Sequence, residues 1–167
     1  MKRRACAAAI AAAGLMAGCA WLRPPSKTAF WQGRIAIKDP RDPQNNMSAS
    51  FELQGNASSG SLGLFNMLGL TLASMRWSEG FAELQSNGET HSYKSTDAML
   101  SASLGHSIPL AAVFDWLNGE NASVPGWDVD RSRYAERRLR ALKTTNASSE
   151  SGIGQGGLEV VLVWDAP

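Results

Sequence analysis

Cysteine is almost missing from this chain. Of 167 residues only Cys6 and Cys19 carry a thiol, and both precede position 20, so no disulfide can staple the remainder. Histidine is equally scarce: His91 and His106 lack metal-ligand spacing and no nearby cysteine assists them, so no metal site is expected. The chain has no apolar run of the roughly 20 residues that a membrane-spanning helix needs. It also lacks an excess of either charge, with 16 Lys+Arg against 15 Asp+Glu. That balance argues against nucleic acid, which calls for a clustered basic face. Arg131, Arg133, Arg137, Arg138 and Arg140 are locally dense, but alternation on a strand or a solvated face explains them.

Catalytic motifs are missing too. Gly105-His106-Ser107-Ile108-Pro109 has the order of a nucleophile elbow, but proline stands at the final glycine position and no strand leads into it. Asp128-Val129-Asp130 lacks the other positions of a calcium loop. The stretch Gly152 to Gly157 has no lysine for a phosphate. These absences predict neither an enzyme nor a cofactor.

What is present begins with a leader. Lys2, Arg3 and Arg4 precede a small apolar stretch, Ala5 to Gly14, and then Leu15-Met16-Ala17-Gly18-Cys19. This order is that of a secretory signal. Small residues before a cysteine resemble a lipobox, with Met16 where leucine is usual, so Cys19 is expected to carry lipid after removal of residues 1–18. Acylation would also account for the single thiol left in an oxidising compartment. Several acyl chains, at about 0.8 kcal/mol per buried CH₂, anchor a protein stably. Ala20 follows the cysteine where aspartate retains many Gram-negative lipoproteins at the inner membrane, which points to the outer membrane and its periplasmic side. Three of the 16 basic residues leave with the leader, so 13 face 15 acidic ones. Residues 19–28, with Pro24-Pro25, suit an extended tether, and 29–167 one domain.

The domain reads mainly as short antiparallel strands. Arg34 to Lys38 and Ala49 to Gln54 alternate, separated by a Pro-, Asp- and Asn-rich loop. Ser61 to Phe65 leads to a turn at Asn66-Met67-Leu68-Gly69, and Leu70 to Trp77 leaves it. Phe81 to Gln85 and His91 to Lys94 flank Asn87-Gly88, a strong hairpin signal. The period then becomes helical. Thr96 to Gly105 predicts a short helix capped by Ser95 or Thr96. Pro109 to Asn118 predicts a second, with Leu110, Val113, Phe114 and Leu117 on one face and Gly119 past its end. Gly126 to Val129, Arg138 to Leu142 and Leu158 to Trp164 return to strand, around a Ser-, Asn- and Gly-rich loop at 144–157. The sum is a mainly β domain: a curved antiparallel sheet with short helices over one face.

On these residues the chain resembles the outer-membrane lipoprotein receptors of the LolB family. The resemblance is carried by Gly33-Arg34-Ile35-Ala36, by Leu62-Gly63-Leu64-Phe65-Asn66-Met67-Leu68-Gly69, and above all by Ile108-Pro109-Leu110-Ala111-Ala112-Val113-Phe114-Asp115-Trp116-Leu117-Asn118-Gly119. Met67 stands where many members have proline, and Phe114 where they have leucine. The resemblance implies an unclosed antiparallel β-barrel, capped by helices, around an apolar cavity that holds acyl chains. It implies as partners the periplasmic carrier LolA with its lipoprotein cargo, those acyl chains, and outer-membrane lipid, with the receptor acting as a monomer.

Two groups of residues are then expected to form the site. Inward faces are assigned to Ile35, Ile37, Phe51, Leu53, Leu62, Leu64, Leu70, Leu72, Leu84, Leu100, Leu104, Val113, Phe114, Leu117, Leu139 and Leu162. Plain core packing is the competing explanation for each. The turn Asn66-Met67-Leu68-Gly69 is assigned to the membrane, because an apolar Leu68 stands at a turn tip where polar residues are usual. In the family the leucine of the matching turn has that role. The rival outside this class is a structural or partner-binding β-module with a closed, well-packed interior.

Overall fold

The computed structural model describes residues 29–104, 108–144 and 157–165. The leader, Cys19, the tether and most of the loop at 144–157 lie outside the described residues. The described residues form nine strands: β1 (Phe30–Lys38), β2 (Met47–Gly55), β3 (Gly60–Phe65), β4 (Thr71–Ser78), β5 (Phe81–Ser86), β6 (Glu89–Tyr93), β7 (Trp127–Asp130), β8 (Arg138–Lys143) and β9 (Glu159–Trp164). Two helices, α1 (Thr96–Leu104) and α2 (Leu110–Leu117), separate β6 from β7.

All nine strands join one antiparallel sheet in the order β6-β5-β4-β3-β2-β1-β9-β8-β7. The first six strands follow one another as a meander because each is joined to the next by a short loop or turn, the longest being the Pro-, Asp- and Asn-rich connection between β1 and β2. At Asn87-Gly88 both residues take positive φ (53° and 82°), the left-handed pair that a two-residue hairpin requires. The last strand does not extend this run. β9 instead lies beside β1, with Ile35 opposite Leu162 and Ile37 opposite Val160. Gly33 makes this junction possible: a Cβ there would lie 2.1 Å from the Val163 carbonyl oxygen, so β1 and β9 approach more closely than any side chain permits.

The edge strands β6 and β7 are not paired with each other, so the sheet is an unclosed barrel. The segment between them must travel from one edge to the other, and it carries both helices over the concave face. Ser95 caps α1, its hydroxyl accepting from the Ala98 amide at 3.1 Å. Pro109 precedes α2 as its cap residue, not as its first helical residue, and supplies no side-chain bond. α1 lies close to β5 and β6, whereas α2 stands off the sheet and reaches it through side chains.

The core lies between sheet and helices. Phe51, Leu53, Met75, Trp77, Leu84, Leu139 and Leu162 rise from the strands to meet Met99, Leu100, Phe114 and Leu117. Trp116, also buried, donates from its indole nitrogen to the Ala122 carbonyl at 2.8 Å, so its polar atom is satisfied on the side away from the sheet.

Candidate functional site

Inside the concave face is a cavity of about 80 Å³. Its wall is made by Ile35 and Ile37 of β1, Met47, Phe51 and Leu53 of β2, Leu62 and Leu64 of β3, Met75 of β4, and Val160 and Leu162 of β9. Its roof is made by Leu100 of α1 and by Ile108, Leu110, Val113 and Leu117. Every lining residue is apolar, so water there would find no partner and the space is dry.

Ten of the residues assigned inward from the sequence line this cavity: Ile35, Ile37, Phe51, Leu53, Leu62, Leu64, Leu100, Val113, Leu117 and Leu162. Leu84, Phe114 and Leu139 are buried in the surrounding core without lining it. Phe114 packs edge-on against Trp31 at 5.6 Å and lies 6.2 Å from Trp77. The side chain of Leu104 lies outside the described set.

Leu70 and Leu72 correct the sequence expectation. They do not face inward: they are 62% and 41% exposed. The reason is alternation: Met75 and Trp77 are buried beneath the helices, so Leu72, of the opposite parity, points outward, and Leu70 precedes the strand in the exposed turn. At the start of β4 Leu64 pairs with Ala73 but the next residue, Phe65, pairs with Thr71. Leu72 is the extra residue of a bulge. The inward face of β4 is the opposite set, Ala73, Met75 and Trp77, with Met75 across from Leu62 and Leu84. Met47, Ile108, Leu110 and Val160 are further lining residues not assigned to the cavity from the sequence. The period of two along β2 and β9 could have shown Met47 and Val160, which share parity with Phe51 and Leu162.

The turn between β3 and β4 stands out from the body. Met67 is 91% and Leu68 84% exposed. Asn66 builds the turn: its side-chain oxygen accepts from the amides of Leu68 (2.9 Å) and Leu70 (3.0 Å). Its main chain also bonds both ways, to the Leu70 carbonyl and from the Gly69 amide. Gly69 takes φ +78°, closing the turn in a left-handed conformation. Asn66 thus holds the turn from within, and the two large apolar side chains at its tip project into solvent. Phe65 pairs with Ser50 of β2, so the turn lies at the end of the barrel where β1 ends and β2 begins.

Charge is kept outside. Arg140 pairs with Glu159 at 2.6 Å and Arg76 with Glu83 at 2.9 Å, while Arg133 pairs with Glu136. Within the arginine-rich stretch 131–140, Arg133 and Arg140 are thus matched by carboxylates, and Arg131 by the Gly119 carbonyl. Hydrogen bonding to Arg133 holds the Glu136 carboxyl below its usual range. The Ser132 amide, donating at 2.9 Å, does the same for Asp130.

Comparison with known proteins agrees with this architecture. Residues 30–150 match the profile of the family described as outer membrane lipoprotein LolB. The curated outer-membrane lipoprotein LolB of Shewanella woodyi is 31% identical over 91 residues, which is 54% of this chain and 41% of that relative. The chain thus spans about two fifths of the length of the curated relative it matches. The family match covers most of the chain, including eight of the nine strands and both helices, and this chain belongs to the LolB family.

Proposed function

We propose that this chain is an outer-membrane lipoprotein that receives lipoproteins from the carrier LolA, holds their acyl chains beneath its helices, and passes them to the membrane. In this reading Cys19 carries the lipid, residues 19–28 are the tether on the periplasmic side, and 29–167 is the carrier domain. The observation that carries it is a cavity with no polar residue in its wall, next to a turn that exposes Met67 and Leu68.

The energetics demand such a device. An acyl chain of about a dozen methylenes costs about 10 kcal/mol to leave in water, at roughly 0.8 kcal/mol per CH₂. A carrier must cover that surface throughout the transfer. Among the described residues there is no nucleotide-binding loop, and in this reading transfer runs downhill: affinity rises from donor to receptor and from receptor to bilayer. About 1.4 kcal/mol at each step is a tenfold bias. The resting cavity is smaller than one acyl chain, so loading requires the helices to move away from the sheet. Leu68 then acts as a wedge: burying its side chain in lipid contributes about 1.5–3 kcal/mol and holds the mouth at the membrane.

Uptake of a fluorescent fatty acid by the unlipidated chain tests the cavity, and transfer from LolA to liposomes tests delivery. Leu68→Glu is expected to leave folding and uptake unchanged and to block delivery. Normal delivery by that variant would overturn the wedge. An interior that takes up no fatty acid would return the protein to the structural β-module class.

A further inference from the structure

The two ends of α2 are held by different forces. At its C-terminal end the Tyr134 hydroxyl donates to the Leu117 carbonyl at 2.9 Å, and the Arg131 guanidinium donates to the Gly119 carbonyl. These bonds satisfy carbonyls that a helix end leaves open, and a cation there also suits the helix dipole. The Tyr134 ring is itself fixed, 5.2 Å from Trp164 on β9 and under the Arg131 guanidinium, also at 5.2 Å. The N-terminal end has no side-chain cap, and Ile108 and Leu110 rest on the cavity through apolar contact.

This difference decides which end can move. An apolar contact is non-directional, so an acyl chain can replace it at little cost. A half-buried hydrogen bond is directional and has no such substitute, and an acyl chain that displaced it would leave the carbonyl unsatisfied. The ends also lie at different places. Tyr134, which holds the C-terminal end, packs on Trp164, and Trp164 pairs with Gly33 in the first half of β1, whereas Ile108, just before the N-terminal end, lines the cavity with Ile37 and Met47 at the other end of β1. The Met67–Leu68 turn lies at that other end.

We propose that Arg131 and Tyr134 are positioning residues that make the C-terminal end of α2 a fixed pivot. The helix lifts from its N-terminal end, and acyl chains enter and leave on the side of the barrel that carries Leu68. This rests on the carrier reading above and adds the direction of opening and the residues that set it.

Paired nitroxide labels on the chain carrying Cys6→Ala and Cys19→Ala test it. One pair is Ala111→Cys with Ser48→Cys, the other Asn118→Cys with Ser58→Cys; all four positions are exposed. The probe is a fluorescent synthetic dipalmitoyl lipopeptide. A helix of eight residues is about 12 Å long, so a tilt of about 25° moves its free end by about 5 Å. The first pair is expected to lengthen by that amount on loading, while the second stays fixed. Tyr134→Phe keeps the ring against Trp164 but removes the bond to Leu117, and should broaden the second distance on loading. Equal shifts at both pairs, a larger shift at Asn118, or bound lipopeptide with neither pair moving would overturn the pivot. An unchanged second distance in Tyr134→Phe would remove Tyr134 from it. A lipopeptide that does not bind, read by its own fluorescence, sinks the carrier reading and the pivot together.

Discussion

Leu72 and Leu68 are the same residue type four positions apart, both exposed, and they owe that exposure to different causes. Leu68 stands at a turn tip held by Asn66, and the local sequence announces it: an apolar residue between Asn and Gly has nothing to pack on. Leu72 lies in a run that alternates, and alternation alone allows either parity. The packing of Met75 and Trp77 into the core chooses the parity and sends it outward. Leu72→Ser is therefore expected to change stability by no more than about 0.5 kcal/mol in urea denaturation. A loss of about 2 kcal/mol or more, the cost of truncating a buried leucine, would mean that it packs inside after all. Most cavity-lining residues were legible one by one as large aliphatics on the apolar face of a strand. The distinction between lining the cavity and filling the core was not, because Phe114 and Val113 have the same signature on adjacent positions of one helix.

At the scale of elements, β1 and α2 decide whether a cavity exists. β1 is the strand that β9 joins, and Gly33 sits where the two backbones nearly touch. Gly33→Ala places a methyl against a carbonyl that cannot rotate away, and should cost at least about 2 kcal/mol by overpacking, read as a fall in urea midpoint. A neutral result would show that the sheet relaxes there. α2 supplies the roof. Val113→Phe adds bulk to the void without a polar atom, so stability should stay within about 1.5 kcal/mol while fatty-acid uptake falls about tenfold or more, a change of 1.4 kcal/mol in affinity. Unchanged uptake would separate the binding site from this void. The helices themselves were readable from period, cap and proline, and their ends shifted by one residue or so because helix termini are set by the cap hydrogen bonds actually made.

The whole molecule is an open sheet whose two edges are bridged by the β6–β7 connection, and its ion pairs lie on exposed side chains. The displaced carboxyls, Glu136 and Asp130, are both depressed and both exposed. A depressed group contributes stability above its ordinary value and loses it as pH falls through the folded value. The melting temperature should therefore be flat between about pH 5 and 8 and drop only in the acid range below about pH 4. A transition near neutrality would require a titrating group that the described residues do not explain.

From sequence alone came the strand-rich pattern, both helices and the apolar turn, because each is written in local period or turn chemistry. Tertiary structure alone decided that β9 pairs with β1, that Met75 and Trp77 and not Leu72 face the core, and that Arg131 and Tyr134 meet the end of α2. Those are contacts between segments distant along the chain. Local preferences allow many pairings between such segments, and only the packing of the folded chain selects one.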